Sequence, residues 1–378
     1  MRILLIGEYS HLHNSLKQGL VFLGHEVVLV SSGDGFKDLP SDFSYDSKFC
    51  KNKFVHIFKQ IIYRIFNFDF AEIERGLRFF AISKMFQNFD IVQLINEKPI
   101  QTTTNFELYL LKKIFKNNQK VFVLASGVDY LNVQYLMKNK SFKSILNPYF
   151  ENKNLAKYYE YVFKYTTKNH KKLHDFVYQN CQGFISSDLD YHIPLLNDKK
   201  YLGLIANPIN TEKLQFNTPK INHRIIIFLG INTGNYYQKG IDYFENALAI
   251  IKEKYQEKVE IILAKNIPYK DYINLYNKSH ILLDQIFAND QGYNALEAMA
   301  KGKVVFTGAG IEFQEFYKLK EKIAVDAIPD VDYLVKQLSF LIENPEQIEI
   351  IAKNARLFVE KEHNYIEIAQ KYIDKWTF

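Results

Sequence analysis

The chain has 378 residues, of which 47% are hydrophobic and 24% charged, and carries a formal net charge of +6. At roughly 150 residues per domain this length points to about two domains, and the composition excludes a disordered chain. The charge is modest and its basic residues are interspersed with acidic ones, so charge alone makes no case for nucleic acid. The two cysteines, Cys50 and Cys181, lack the spacing of a zinc site, a redox pair or a disulfide framework and read as reduced thiols.

In chain order, Met1 to Ile6 is a short apolar run closed by Gly7, too short for a secretory signal or a membrane span, which predicts a cytoplasmic protein. A polar loop through Asn14, an amphipathic stretch from Ser15 to Leu23 and a second apolar run from Glu26 to Val30 then predict a βαβ unit. The segment from Lys51 to Phe89 has apolar residues at helical spacing and mixes aromatic with basic side chains, in a chain with 31 Phe and 26 Tyr. It has three readings: ordinary core, a membrane-surface helix or a greasy acceptor channel. Asp90 to Ile95, Lys120 to Leu124 and Cys181 to Ile185 are further strand candidates.

Around Leu204 to Asn210 the periodicity stops at a turn-rich segment, Ala206-Asn207-Pro208-Ile209-Asn210, read as a domain boundary. The alternation then resumes, with strands at Arg224 to Leu229, Val259 to Ala264, Ile281 to Ile286 and Val304 to Thr307. Helices fall at Asp242 to Tyr255, Tyr269 to Asn277 and Ala295 to Lys301. Strands alternating with helices in both halves predict an α/β chain of two doubly wound parallel sheets facing each other across a cleft. The expected division is residues 1–205, residues 206–358, and a C-terminal helix, residues 359–378, returning toward the first domain.

Ligands of such sheets bind beyond the C-terminal ends of the strands. Four loops lie there: Gly7 to Asn14, Ala125 to Tyr130, Gly230 to Gly240 and Phe287 to Asn294. The last is the most informative, because it leads into a helix whose free backbone N–H groups and positive dipole end suit a diphosphate. Gly292 removes a side chain where phosphate would approach, and Glu297, one turn further in, has the carboxylate needed to hold a ribose diol. For such a pair alone, a turn glycine and a solvated helix residue would be the blander explanation.

The run Gly292 to Val305, GYNALEAMAKGKVV, resembles the C-terminal signature of retaining GT-B glycosyltransferases of family 4 type, and Leu296 to Gly302 matches it closely. The resemblance implies that Glu297 holds the donor ribose and that Gly292, Tyr293, Asn294, Ala295 and Leu296 form the donor seat. Eight residues before Glu297 the family has a glutamate that contacts the donor sugar; this chain has Asn289. An amide hydrogen-bonds a hydroxyl but holds no charge beside an oxocarbenium-like centre. The stretch Phe228 to Ala247 resembles the family's phosphate-binding segment, with Gly230 in its loop and Lys239 as the phosphate lysine. The arginine usual in that loop is replaced by Ile231-Asn232-Thr233-Gly234.

Gly7 to Gly19 resembles the first loop of these enzymes, which makes Gly7 a donor contact and His11 and His13 acceptor-orienting residues; for each histidine a role-free surface position is the alternative. Asp129 is the candidate acceptor-facing carboxylate, with a helix-capping aspartate as the equal alternative. The catalytic set is thus Asp129, Lys239 and Glu297.

The resemblance implies transfer of a sugar from a UDP- or GDP-sugar to a glycan or lipid-linked acceptor, with retention of configuration and no metal or cofactor. Cell-surface polysaccharide synthesis at the inner membrane surface is the expected setting, with no nucleic acid partner. A non-catalytic sugar-nucleotide or glycan-binding protein of the same fold is the alternative, and a GT-B-fold epimerase a third reading. The missing dinucleotide fingerprint disfavours a dehydrogenase.

Overall fold

The computed structural model describes residues 1–35, 38–51, 69–221 and 223–377. Twelve strands fall into two sheets among these residues. The first contains β1 (Arg2–Ile6), β2 (Glu26–Ser31), β3 (Phe43–Ser44), β4 (Ile91–Leu94), β5 (Lys120–Ala125), β6 (Gly183–Ser186) and β7 (Tyr201–Leu204), in the order β3-β2-β1-β4-β5-β6-β7. The second contains β8 (Ile225–Ile231), β9 (Val259–Lys265), β10 (Ile281–Leu283), β11 (Val304–Thr307) and β12 (Val325–Asp326), in the order β12-β11-β10-β8-β9. Every pairing is parallel.

Parallel strands need crossover helices, and helices on both faces demand strands that are apolar on both sides. The central strands obey: Ile3, Leu4, Leu5 and Ile6 of β1 are all fully buried, as are Val304, Val305 and Phe306 of β11. The chain therefore forms two Rossmann-like α/β layers facing each other, a GT-B architecture, as the alternation of apolar runs predicts.

The last helix, Tyr365–Thr377, lies against the first, Leu12–Phe22. Gly19 makes that approach possible, since a Cβ there would come 2.2 Å from the carbonyl oxygen of Tyr365. Trp376 is fully buried at the far end, where its indole N–H donates to Gln93 Oε1 at 3.0 Å. His363 and Asn364, just before this helix, are pinned to the turn after β7: His363 Nδ1 lies 2.8 Å from the carbonyl oxygen of Asn207, and Ile209 bridges to Asn364.

Two departures from the sequence reading concern the first domain. β7 escapes detection because its four residues, Tyr-Leu-Gly-Leu, are only half-buried at a sheet edge and carry Gly203 at positive φ. Between β5 and β6 the crossover is not one helix but a small helical subdomain with its own core of Val133, Leu136, Leu146, Tyr159 and Val162. Of the aromatic-basic segment read from Lys51 to Phe89, residues 52–68 lie outside the described residues. The remainder forms the helix Phe70–Ile82 and the lead into β4, and Phe79, Phe86 and Phe89 are core.

Candidate functional site

A cleft of about 720 Å³ opens between the two sheets at the C-terminal ends of their strands. Ser10, His11 and Asp34 line it from the first domain. Gly230, Asn232, Asn235, Lys239, Asn266, Ile267, Pro268, Tyr272, Tyr293, Asn294 and Glu297 are among its residues from the second.

The helix Tyr293–Ala300 aims its start at this cleft. Gly292 is its N-cap, and the first closing hydrogen bond runs from the Leu296 N–H to the Gly292 carbonyl at 3.1 Å. Helix geometry thus leaves the N–H groups of Tyr293, Asn294 and Ala295 without intrahelical acceptors, at the positive end of the dipole. Glu297, one turn on, lines the same cleft. The Lys239 ammonium reaches in from the loop before the helix Ile241–Lys254, 3.0 Å from Oδ1 of the buried Asp284. Asn294 Nδ2 donates to the same oxygen at 3.2 Å. One carboxylate at the end of β10 therefore aligns both the cation and the amide beside the helix start.

Glycine matters directly at Gly230. A Cβ there would meet the Tyr272 ring at 2.7 Å, so its absence lets Tyr272 pack close and keeps the strand end open. Ala264, Ile267, Pro268 and Tyr272 form a compact, mainly apolar wall at the end of β9. With the amides of Asn232, Asn235 and Asn266 nearby, it has the character of a pocket for a flat heteroaromatic group.

The first-domain wall is organised differently. His11, at φ 72° just before the helix Leu12–Phe22, lies in the cleft with its ring 6.2 Å from that of Tyr293. The hydroxyls of Ser15 and Tyr293 lie 2.5 Å apart, joining the first helix of one domain to the cleft helix of the other. Behind this surface the titratable groups face one another. Glu97 is buried between His170 (2.6 Å) and His174 (2.8 Å), and its Oε1 also accepts the Tyr130 N–H at 2.7 Å. Burial alone would raise this carboxyl, but the two histidine contacts outweigh it and hold it at about 2.

The structure places several predicted site residues away from the cleft. Asp129 is not among the residues that line the cleft: it is 8% exposed, and its Oδ1 accepts the Asn132 N–H at 2.7 Å, capping the helix Tyr130–Lys138. Burial, and then the neighbouring Glu97 charge, push it up to about 7. His13 is fully buried, its Nδ1 2.8 Å from the Gly7 carbonyl oxygen, and burial lowers it to about 4. Gly7 follows β1 at φ 88°, where a Cβ would come 2.2 Å from Ile95 Cγ2, so the turn itself requires glycine. Ala295 and Leu296 have fully buried side chains because the inner face of an eight-residue helix must cover the sheet. Asn289 belongs to the domain junction. Its backbone N–H and Nδ2 donate to Asp190 Oδ1 at 2.9 and 2.7 Å, and Nδ2 also donates to the Lys143 carbonyl at 2.9 Å.

Brought together in the cleft are therefore His11, Gly230, Lys239, Tyr293, Asn294 and Glu297. Sequence reasoning missed Asp34, the Ala264–Pro268 loop, Tyr272 and Asp284. The loop after β9 was open to discovery, since it too follows the C-terminal end of a strand; Asp284 had no local pattern to mark it.

Two facing parallel-sheet domains with a crevice across their strand ends define the GT-B class of fold. The sequence model of a family described as glycosyl transferase-like matches residues 239–374, the part that carries Lys239, the cleft helix and the last helices. No curated protein sequence matches the chain. Among solved structures, sucrose-phosphate synthase of Thermosynechococcus elongatus superposes with a TM-score of 0.61 at 12% identity, over 100% of this chain and 98% of that one. HepE of Anabaena, in complex with UDP and glucose, gives 0.58 at 11% identity over 100% and 99%. A glycosyltransferase from Rickettsia africae gives 0.52 at 16% identity over 100% and 97%. At these identities the likeness is one of fold.

Proposed function

We propose that this chain is a glycosyltransferase that moves a sugar from a nucleotide-diphosphate donor to a glycan or lipid-linked acceptor with retention of configuration. The observation that carries the reading is the convergence, in one interdomain cleft, of a helix start, the Lys239 ammonium and the Glu297 carboxylate. In this reading the N–H groups of Tyr293 and Asn294 and the Lys239 ammonium hold the diphosphate, so the negative charge that grows on the leaving group meets fixed positive partners. Glu297 accepts from the ribose diol. The wall formed by Ile267, Pro268 and Tyr272 takes the base, with UDP-sugars the first choice because HepE, of the same fold, is described in complex with UDP and glucose.

No metal is required in this scheme, since Lys239 and the helix start supply the neutralising charge. In this reading His11 and Ser10, which line the opposite wall, meet the acceptor, and closure of the cleft around the donor limits its loss to water. Cell-surface polysaccharide synthesis on the cytoplasmic side of a membrane is the setting that suits such a reaction.

A panel of UDP- and GDP-sugars with glycan and lipid-linked acceptors tests the proposal. Transfer by the wild type, lost or severely reduced in Glu297→Ala, is the expected result. Hydrolysis and transfer both indistinguishable from the variant's would end it. One observation favours a second reading, a non-catalytic sugar-nucleotide-binding protein: Asn289, where the resembling enzymes carry a glutamate, has its amide engaged with Asp190 and Lys143. Tight nucleotide-sugar binding by calorimetry without turnover would select that reading.

A further inference from the structure

The net charge of the molecule is not evenly spread. Residues 138–172, within the crossover from β5 to β6, contain nine lysines against two glutamates, a net +7, whereas the whole chain carries +6. Everything outside this segment therefore sums to −1. Lys138, Lys140, Lys153, Lys157, Lys164, Lys168, Lys171 and Lys172 are all exposed. Among the described residues, Lys171 pairs with Asp175 and Lys143 with Asp326, and the other seven lysines have no carboxylate within ion-pair distance.

Aromatic rings lie among these charges. The Lys153 ammonium stands 3.8 Å from the centroid of the Tyr149 ring and 5.0 Å from that of Phe150, with Lys140 5.9 Å from Phe150. Lys157 lies over Tyr158 at 4.9 Å, and Tyr161 is 42% exposed. An ammonium over a ring face keeps both at the surface, the pairing of charge and amphipathic aromatic body that suits a headgroup layer.

The position is as telling as the composition. This subdomain stands at the C-terminal ends of the first-domain strands and reaches across to the loop that carries Lys239. Gln238 Nε2 donates to the Tyr158 carbonyl at 2.6 Å, and the rings of Tyr158 and Tyr237 are 4.8 Å apart. A second basic-aromatic surface exists around Leu77, Phe80 and Met85, with Lys113 4.5 Å from the Phe80 ring. It belongs to helices that lead into the N-terminal ends of β4 and β5, away from the cleft.

We propose that the lysine-rich subdomain of residues 138–172 docks the margin of the cleft onto the surface of a bilayer containing anionic phospholipids. Many exposed cations on a broad surface, without a single converging pocket, match an extended field of negative headgroups. The proposal does not depend on the transfer reaction, because binding to vesicles is read without any sugar donor.

The test is co-sedimentation of the full chain with phosphatidylcholine vesicles, with and without phosphatidylglycerol. Partition is expected only to the anionic vesicles and is expected to weaken steeply with added salt. Combining Lys153→Gln, Lys157→Gln, Lys164→Gln and Lys168→Gln, all exposed positions, should lower partition on the order of 1,000-fold, the four lysines contributing about 1 kcal/mol each near the surface. Its thermal melt should match the wild type. The combination Lys84→Gln, Lys113→Gln and Lys116→Gln, on the other basic surface, should bind as the wild type does. Equal binding by the first variant, loss confined to the second, indifference to phosphatidylglycerol, or binding to a soluble anionic polysaccharide without binding to vesicles would each overturn the proposal.

Discussion

The two walls of the cleft use charge in opposite ways. On the second-domain wall Lys239, Asn294 and Glu297 stand at the surface of the cleft, the first two aligned by a single buried carboxylate, Asp284. On the first-domain side Glu97, His170, His174, Asp129 and His13 are buried, and their polar atoms are largely spent on each other and on the backbone. The contrast separates recognition from support: one wall presents groups to a ligand, and the other uses charge to hold loops in place. A parallel sheet needs its strand-end loops held firmly, and a doubly bonded carboxylate such as Glu97 does so at the cost of burying charge.

The largest effect should come from breaking that support. Glu97→Gln leaves two buried histidines facing an amide and is expected to cost about 3–5 kcal/mol in denaturant unfolding, while the folded fraction still binds nucleotide. Unimpaired stability with lost nucleotide binding would erase the distinction between the walls. Next, Lys239→Ala should reduce transfer on the order of 100-fold, as expected for a donor to a developing anion, with a smaller loss of melting temperature than Glu97→Gln, because the buried Asp284 loses its cation but keeps the Asn294 amide.

The junction between the walls sharpens the comparison through pH. Asp290 accepts the N–H groups of Leu189 and Gln291, yet burial raises it to about 7. A carboxyl raised in the folded state contributes stability that is fully present below its ordinary value and is lost as pH rises through about 7. Wild-type melting temperature should therefore carry a downward component from about pH 4 to about pH 7, and Asp290→Asn should lessen it, leaving the share of other raised carboxyls such as Asp129. An identical pH profile in the variant would mean that other groups set the slope. The smallest effect is expected from Tyr293→Phe, which removes the hydroxyl contact to Ser15 across the domains and should cost about 1 kcal/mol in thermal stability.

Much of the architecture was legible because it depends on local patterns. Apolar runs such as Ile3 to Ile6 and Val304 to Phe306 are buried on both faces, and a run of that kind between helical stretches has few other ways to fold. The start of the helix at Tyr293 could be read for the same reason: Gly292 stops the preceding loop, and Ala-Leu-Glu-Ala-Met-Ala carries strong helix formers. The lysine-rich crossover escaped notice because its short helices and turns have no sustained period, and its charge stands out only when the segment is counted alone.

Which polar residues face the cleft was a different kind of question. Asp129 and His13 have the sidedness of loop residues in sequence, but the capping of the helix Tyr130–Lys138 and the packing beneath the Gly7 carbonyl turned them inward. Asn289 lies eight residues before Glu297, yet the closeness of Asp190, 99 residues away, draws its amide to the junction. By itself the sequence determined two parallel-sheet domains and a helix start suited to an anion, since both follow from periodicity and backbone geometry over a few residues. The tertiary structure alone decided which side chains are offered to a ligand and which are consumed as supports, because hydrogen-bond partners distant in the chain compete for each group and the nearest in space wins.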